Sequence, residues 1–414
     1  MRSRWQWLVL QFSRRLWVGA GLFAVLGAAS VFLANVVSPL LPERWSMRIE
    51  ADTLETILQI LASSMLVVAT FSLSTMLQAY AAASTATTPR VARILMGDRV
   101  AQVALSTVIG AFLFSLVGIL ALGVGLYDTN GRLVLFASTV VVIVLVVVTF
   151  IGWIDHATQL GRVGYGIERT AEVAIEALVA WRRSPHFGAR PPIEVPDAAL
   201  PVASRMVGYL QYLDVRVLQE VAEDIDGRVH VTVLPGALVD PQHPVAYVEG
   251  ATDEAVGRRI QTAFTIASSR SFEQDPRFGL VVLSEIAEKA LSPGINDAGT
   301  AIEVLAALHR VLATWCEVEP AAGADCDRVH LPTHDVDDLV DDAFASIAAA
   351  GAGKVSLGIR LQKTLMRLAA LDVPDLQAAV RRQSMQALAR AEVALDLETD
   401  IERLRRIAGA SAGH

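Results

Sequence analysis

The sequence predicts an α-helical membrane domain of four spans, followed by a cytosolic α+β domain of mainly helical content with a small β unit. Three observations carry this. Hydrophobic residues make up 53% of the 414-residue chain and charged residues only 19%, against about 45–50% and about 25% in soluble domains. The charge is unevenly spread: residues 1–155 hold 10 Arg and 7 acidic residues, and the remaining 259 hold 25 basic and 36 acidic ones. The first part is thus net +3 and the second net −11, with a sharp change of character near Asp155. Four apolar segments without a single Asp, Glu, Lys, Arg or His fill the first part.

Those segments run over Leu16–Val37, Thr56–Ala79, Ala101–Leu126 and Val134–Ile154, and each reaches the ~20 residues that cross a ~30 Å hydrocarbon core as a helix. The first follows Arg2, Arg4, Arg14 and Arg15, as a signal peptide would. Its apolar run exceeds the usual core of ~7–15 residues, so it reads as a retained helix. Orientation follows from the basic loops. Arginines gather in the N-terminal tail and at Arg90, Arg93 and Arg99, while the opposite loops carry Arg44 and Arg48, then Arg132. This places both termini in the cytoplasm. A disulfide between Cys316 and Cys326 is disfavoured in that compartment, and the net charge of −11 excludes nucleic acid as a natural partner.

The second segment is amphipathic in an unusual way. Thr56, Gln59, Ser63, Thr70, Ser74 and Gln78 share an arc of roughly 100° at about 100° per residue. Such a stripe serves either interhelical hydrogen bonding or the wall of a hydrated permeation path. The third segment offers a small-residue seam, Thr107, Ala111, Ser115 and Gly118; the fourth contains "VVVIVLVVV" (140–148), which has no sidedness and suits lipid. With no ionisable residue inside any segment, a buried proton relay is disfavoured.

Beyond residue 155, a helical extension and the Pro-rich "PHFGARPPIEVP" form a linker region over 156–200. Residues 201–250 read as a small β-containing unit: a strand in "RMVGYLQYLD", a short helix in "VRVLQEVAEDID", then two strands around a Pro-bearing turn. The turn carries Asp240, Pro241, Gln242, His243 and Pro244, without the lysine that a biotinyl or lipoyl carrier needs. Apart from "DRVHLPTHDVDD" (327–338), which reads as a short strand leading into a helix, the pattern is helical from residue 251 to 414.

Within that stretch lies "KALSPGINDAGTA" (289–301). A helix with Leu280, Leu283 and Ile286 on its apolar face is stopped by Ser292-Pro293-Gly294. Asn296 or Asp297 can cap the next helix, with Thr300 in its first turn. A helix corner accounts for nearly every residue; anion binding at the exposed helix start by Ser292, Asn296, Asp297 and Thr300 is the alternative.

This stretch, with "SRSFEQDPRFG" (269–279) before it, resembles the hallmark of a bacterial membrane family labelled domain of unknown function 2254. "TPRVARILMGDRVAQVALSTVIGAFLFSL" resembles that family's loop into its third span, and "AFASIAAAGAGKVSLGIRL" its later helical segment. Two positions depart: Ala298 stands where the family usually has proline, and Ser106 where it usually has glycine. A proline there would occupy the first helical position, which fits the cap. The resemblance implies a bacterial inner-membrane protein and brings no established activity.

Candidate chemistry is sparse. Cys316, Cys326, His330 and His334 are zinc-type ligands, but structural sites usually hold their cysteines two to four residues apart. "GASAG" near the C-terminus lacks the preceding strand of a nucleophile elbow, and "GAGKVS" lacks the hydroxyl residue after lysine of a phosphate loop. "HDVDDLVDD" (334–342) reads as an acidic helix start suited to the helix dipole, or as a divalent-ion site. No paired general acid and base and no cofactor motif emerge. Two functions remain open: a homo-oligomeric passive pathway in the bilayer for ions or small solutes, controlled by the cytosolic domain, or a membrane-anchored sensor or scaffold.

Overall fold

The computed structural model describes residues 25, 50–127, 129–250, 253–320, 323 and 325–409. Apart from Val25, the first apolar segment falls outside them. The chain divides into two compact units between Arg162 and Val163.

The first unit contains α1 (Ala51–Ala86), α2 (Pro89–Met96), α3 (Arg99–Gly123) and α4 (Thr129–Ala157). Among the described residues, three helices are long and apolar enough to cross a membrane: α1, α3 and α4. Helix α3 is the central one, packed on both α1 and α4. Its buried face contains Thr107, Ala111, Ser115 and Gly118, the small-residue seam. A methyl group on Gly118 would lie 3.0 Å from Leu58 Cδ1, so the missing side chain is what lets α1 approach. Helix α4 has a sidedness that its valine run conceals. Leu135, Thr139, Val142, Val146 and Trp153 are buried, three to seven residues apart along one face, while Val141, Val144 and Val148 point outward.

After α4 the backbone turns over residues 158–162, and the second unit begins with α5 (Val163–Arg183). Its β part has strands β1 (Leu200–Ala203), β2 (Gly208–Leu213), β3 (Arg228–Val231), β4 (Leu238–Val239), β5 (Pro244–Glu249), β6 (Phe264–Ala267) and β7 (Val329–His330), with α6 (Val215–Asp224) and α7 (Glu254–Thr262). The strands form two sheets, ordered β1-β5-β3-β7 and β4-β2-β6. All pairings are antiparallel except β3 with β7. Leu210, Leu213, Leu218, Val229, Val248, Ile260 and Leu331 share one apolar core.

Two strands come from beyond residue 250: β7 lies within 327–338, which reads as a short strand leading into a helix, and β6 lies in a stretch expected to be helical. Strand β6 completes the smaller sheet, and β7 adds a parallel edge to the larger one. The Pro-rich segment expected as a linker is built into the same part. Phe187 and Ala189 join the core, and Arg190 bridges His330 at the sheet edge, its N–H donating to Val329 O at 2.9 Å.

The helical part comprises α8 (Pro276–Leu291), α9 (Ala298–Cys316), α10 (Val336–Ala350), α11 (Val355–Ala369), α12 (Pro374–Ala394) and α13 (Glu398–Gly409). Helix α5 packs on α8 and α9. Gly279 permits this, because a Cβ there would stand 2.4 Å from Ala174 Cβ. Six helices across the two units start on a capping aspartate whose carboxylate accepts a backbone N–H: Asp98, Asp214, Asp253, Asp275, Asp297 and Asp335.

Candidate functional site

Helix α1 carries the polar stripe. Its buried residues Leu54, Leu58, Leu61, Met65, Ser72, Met76 and Ala83 lie on the face toward α3 and α4. At about 100° per residue that face is centred about 180° from the stripe. Thr56, Gln59, Ser63, Thr70, Ser74 and Gln78 are accordingly all exposed. They bond only within α1 among the described residues. Thr56, Ser63 and Thr70 donate to carbonyls three or four residues earlier, at 2.7–3.2 Å. Gln59 donates to Glu55 at 3.0 Å and Gln78 to Ser74 Oγ at 3.2 Å.

The 289–301 corner is built differently, since its polar groups hold one another. Ser292 Oγ donates to Lys289 O at 2.6 Å and closes α8. Asn296 adopts φ of +54°, a left-handed geometry that Asn tolerates better than most residues, and its N–H reaches Ser292 O at 2.8 Å. The Asn296 side chain accepts from Lys354 Nζ. Asp297 N–H donates to Ala290 O at 2.7 Å, while its carboxylate accepts Thr300 N–H at 3.1 Å and Thr300 Oγ–H at 2.6 Å. Those bonds from Thr300 hold the Asp297 carboxyl below its ordinary range.

The preceding motif, 269–279, fastens the β part to the helices. Gln274 bonds both polar groups of the Leu213 backbone, at 2.7 and 3.3 Å, in the manner of a strand partner. Arg270 binds buried Asp275 through two bonds of 2.7 and 2.9 Å, and its guanidinium lies 4.9 Å over the Phe278 ring. Burial pushes the Asp275 carboxyl up, and Arg270 opposes this. Gly236, at φ of +96°, faces this carboxylate; a Cβ would stand 2.3 Å from Asp275 Oδ2. Arg277 reaches Asp342 and Asp338, each at 2.6 Å. The acidic run 334–342 is therefore largely engaged, because Asp335 caps α10 and Asp337 pairs with Arg382.

The cysteine and histidine candidates separate. Cys316 ends α9, and burial pushes its thiol up to about 11. Cys326 sits in the β core, where burial also raises its thiol. His330 stacks on His230 with centroids 5.3 Å apart and meets Pro191 O at 2.8 Å. His334 stands edge-on to Trp181, which stacks on Trp315. Among the described residues, no three His, Cys, Asp or Glu side chains gather where they could hold a metal ion.

Residues 13–367 match a family described as "Predicted membrane protein (DUF2254)". The chain belongs to that DUF2254 family. The matched region takes in the stripe, the corner and the 269–279 motif, and ends before α12. An uncharacterised protein of Mycobacterium bovis and one of Mycobacterium tuberculosis are each 32% identical over 132 residues, covering 30% of this chain and 25% of the relative. The chain thus spans about a quarter of the length of the curated relatives it matches. No solved structure matches it.

In this DUF2254 chain one pair escaped the sequence reading. Asp98, buried at the start of α3, lies 3.1 Å from His156 Nε2 near the end of α4. The available signal was positional: both sit just outside apolar segments, where they join two helix ends.

Proposed function

We propose that the chain assembles with copies of itself around α1 into a passive pathway for ions or small solutes, and that the second unit, on the cytoplasmic side, controls it. One observation carries the reading: the polar stripe of α1 points away from the helices that α1 packs against. Left against lipid, the Gln59 and Gln78 amides would lose hydration that one intrahelical bond each does not replace. A second copy supplies either water in a central path or a polar partner. The bonds of Thr56, Ser63 and Thr70 to their own carbonyls equally suit a dry seam, in which case the membrane unit anchors a sensor or scaffold.

Cysteine reactivity separates the two. Once Cys316 and Cys326 are replaced, cysteines at Ser63, Thr70 and Ser74 should react with a small membrane-impermeant thiol reagent, because the thiolate needs water. Cysteines at Met65 and Met76 on the packed face, or at outward Val144 of α4, should stay protected. Equal protection at all six positions would end the pathway reading.

A further inference from the structure

We propose that Val67 is the gate of this pathway, a ring of valine side chains near the bilayer midplane that keeps it dry when closed. The inference rests on the pathway reading and adds its control point. Take the band of α1 within roughly 30° of the stripe's centre, at about 100° per residue. It holds Asp52, Thr56, Ser63, Val67, Thr70, Ser74, Ala81 and Thr85. Val67 is the sole bulky apolar side chain among them. It is 66% exposed, so it contributes little to packing on α3 or α4.

Its depth is equally telling. The apolar segment Thr56–Ala79 has its middle at Val67, about 17 Å from either end at 1.5 Å per residue. Between Ser63 and Thr70 no hydroxyl or amide occurs in the band, a dry interval of about 10 Å. Exposed Ile60 and Phe71 flank it and would extend the apolar wall. A narrow apolar constriction expels water and blocks ions without a physical plug. Widening of the path at α1 would let water cross the Val67 ring between the hydroxyls of Ser63 and Thr70, which re-wets it.

The test uses the purified full chain in phosphatidylcholine–phosphatidylglycerol vesicles with potassium chloride as the probe. Val67→Thr keeps the branched shape and adds a hydroxyl that wets the ring. It should raise resting current about ten-fold or more, whereas Val67→Leu should not. Sidedness supplies the second readout. With Val67 in place, Ser63→Cys should react with impermeant reagent from one face only and Thr70→Cys only from the other; adding Val67→Thr should let both react from either face. If both positions react from the same face in the Val67 background, or Val67→Thr leaves current unchanged while both remain reactive, the gate is overturned and the pathway stands. If neither position reacts in any background, the pathway falls and the gate with it.

Discussion

His334 offers a quantitative check on the structure. It lies buried edge-on to Trp181, with no hydrogen-bond partner on Nε2 among the described residues. Burial, helped by nearby Arg277 and Arg270, lowers its pKa from 6.5 to about 4. Between those values the unfolded chain binds a proton that the folded chain refuses, so stability must fall as the pH falls through this window. Integrating the difference in bound protons gives a loss of about 2 kcal/mol from pH 7 to pH 5, approaching about 3 kcal/mol below pH 4. The assay is denaturant unfolding of the detergent-solubilised chain at both pH values, followed by tryptophan emission, for the native protein and for His334→Gln. The variant cannot titrate there, so its acid loss should be smaller by about 2 kcal/mol, with other groups cancelling in the comparison. An identical acid loss in both proteins would refute a buried neutral histidine at this position.

Other outcomes follow from the same contacts. Asp275→Asn keeps a competent cap but strands Arg270, and should destabilise by about 2–4 kcal/mol in the same unfolding assay; an unchanged midpoint would count against the buried pair. Asp297→Ala should cost only about 0.5–2 kcal/mol, as a helix cap does, and loss of transport with unchanged melting would turn the corner into a site. Thr70→Leu should lower potassium current in vesicles without altering assembly size, since it lengthens the apolar stretch. Reporter tags after Arg4 and after Arg406 should both read cytoplasmic, and one inserted at Asp128 should read exterior.

Much of the membrane unit was legible because hydrocarbon imposes a simple code. Long uncharged runs announce α1, α3 and α4, and spacing alone placed Thr107, Ala111, Ser115 and Gly118 on one packed face. The face of α4 was not legible: when every candidate is Val, Leu or Ile, hydrophobicity carries no angular information, and only packing selects Val142 and Val146. In the β part, β2, β3, β5 and β7 lie in stretches that read as strands, but their partners were not legible. Strand β7 is two residues long and pairs in parallel with β3, about a hundred residues earlier, and no local pattern encodes such a partner. The corner was legible because capping is local, and Asp297 bonds groups within three residues of itself. The role of Arg277 in holding Asp338 and Asp342 was hidden by some sixty residues of separation.

The contrast between the corner and the stripe shows where function should be sought. In the corner, Ser292, Asn296, Asp297 and Thr300 all spend polar atoms on one another, on nearby backbone or on Lys354, so its signature composition is consumed by geometry. In α1, Ser, Thr and Gln face outward along a helix long and apolar enough to cross a membrane, with partners only inside that helix among the described residues. Folding of the described chain does not require them there, because a run of leucines would form the helix as well and sit better in lipid. On the reading proposed above, a stripe that has no partner outside α1 among the described residues, at a depth where polarity is costly, faces a second copy or water.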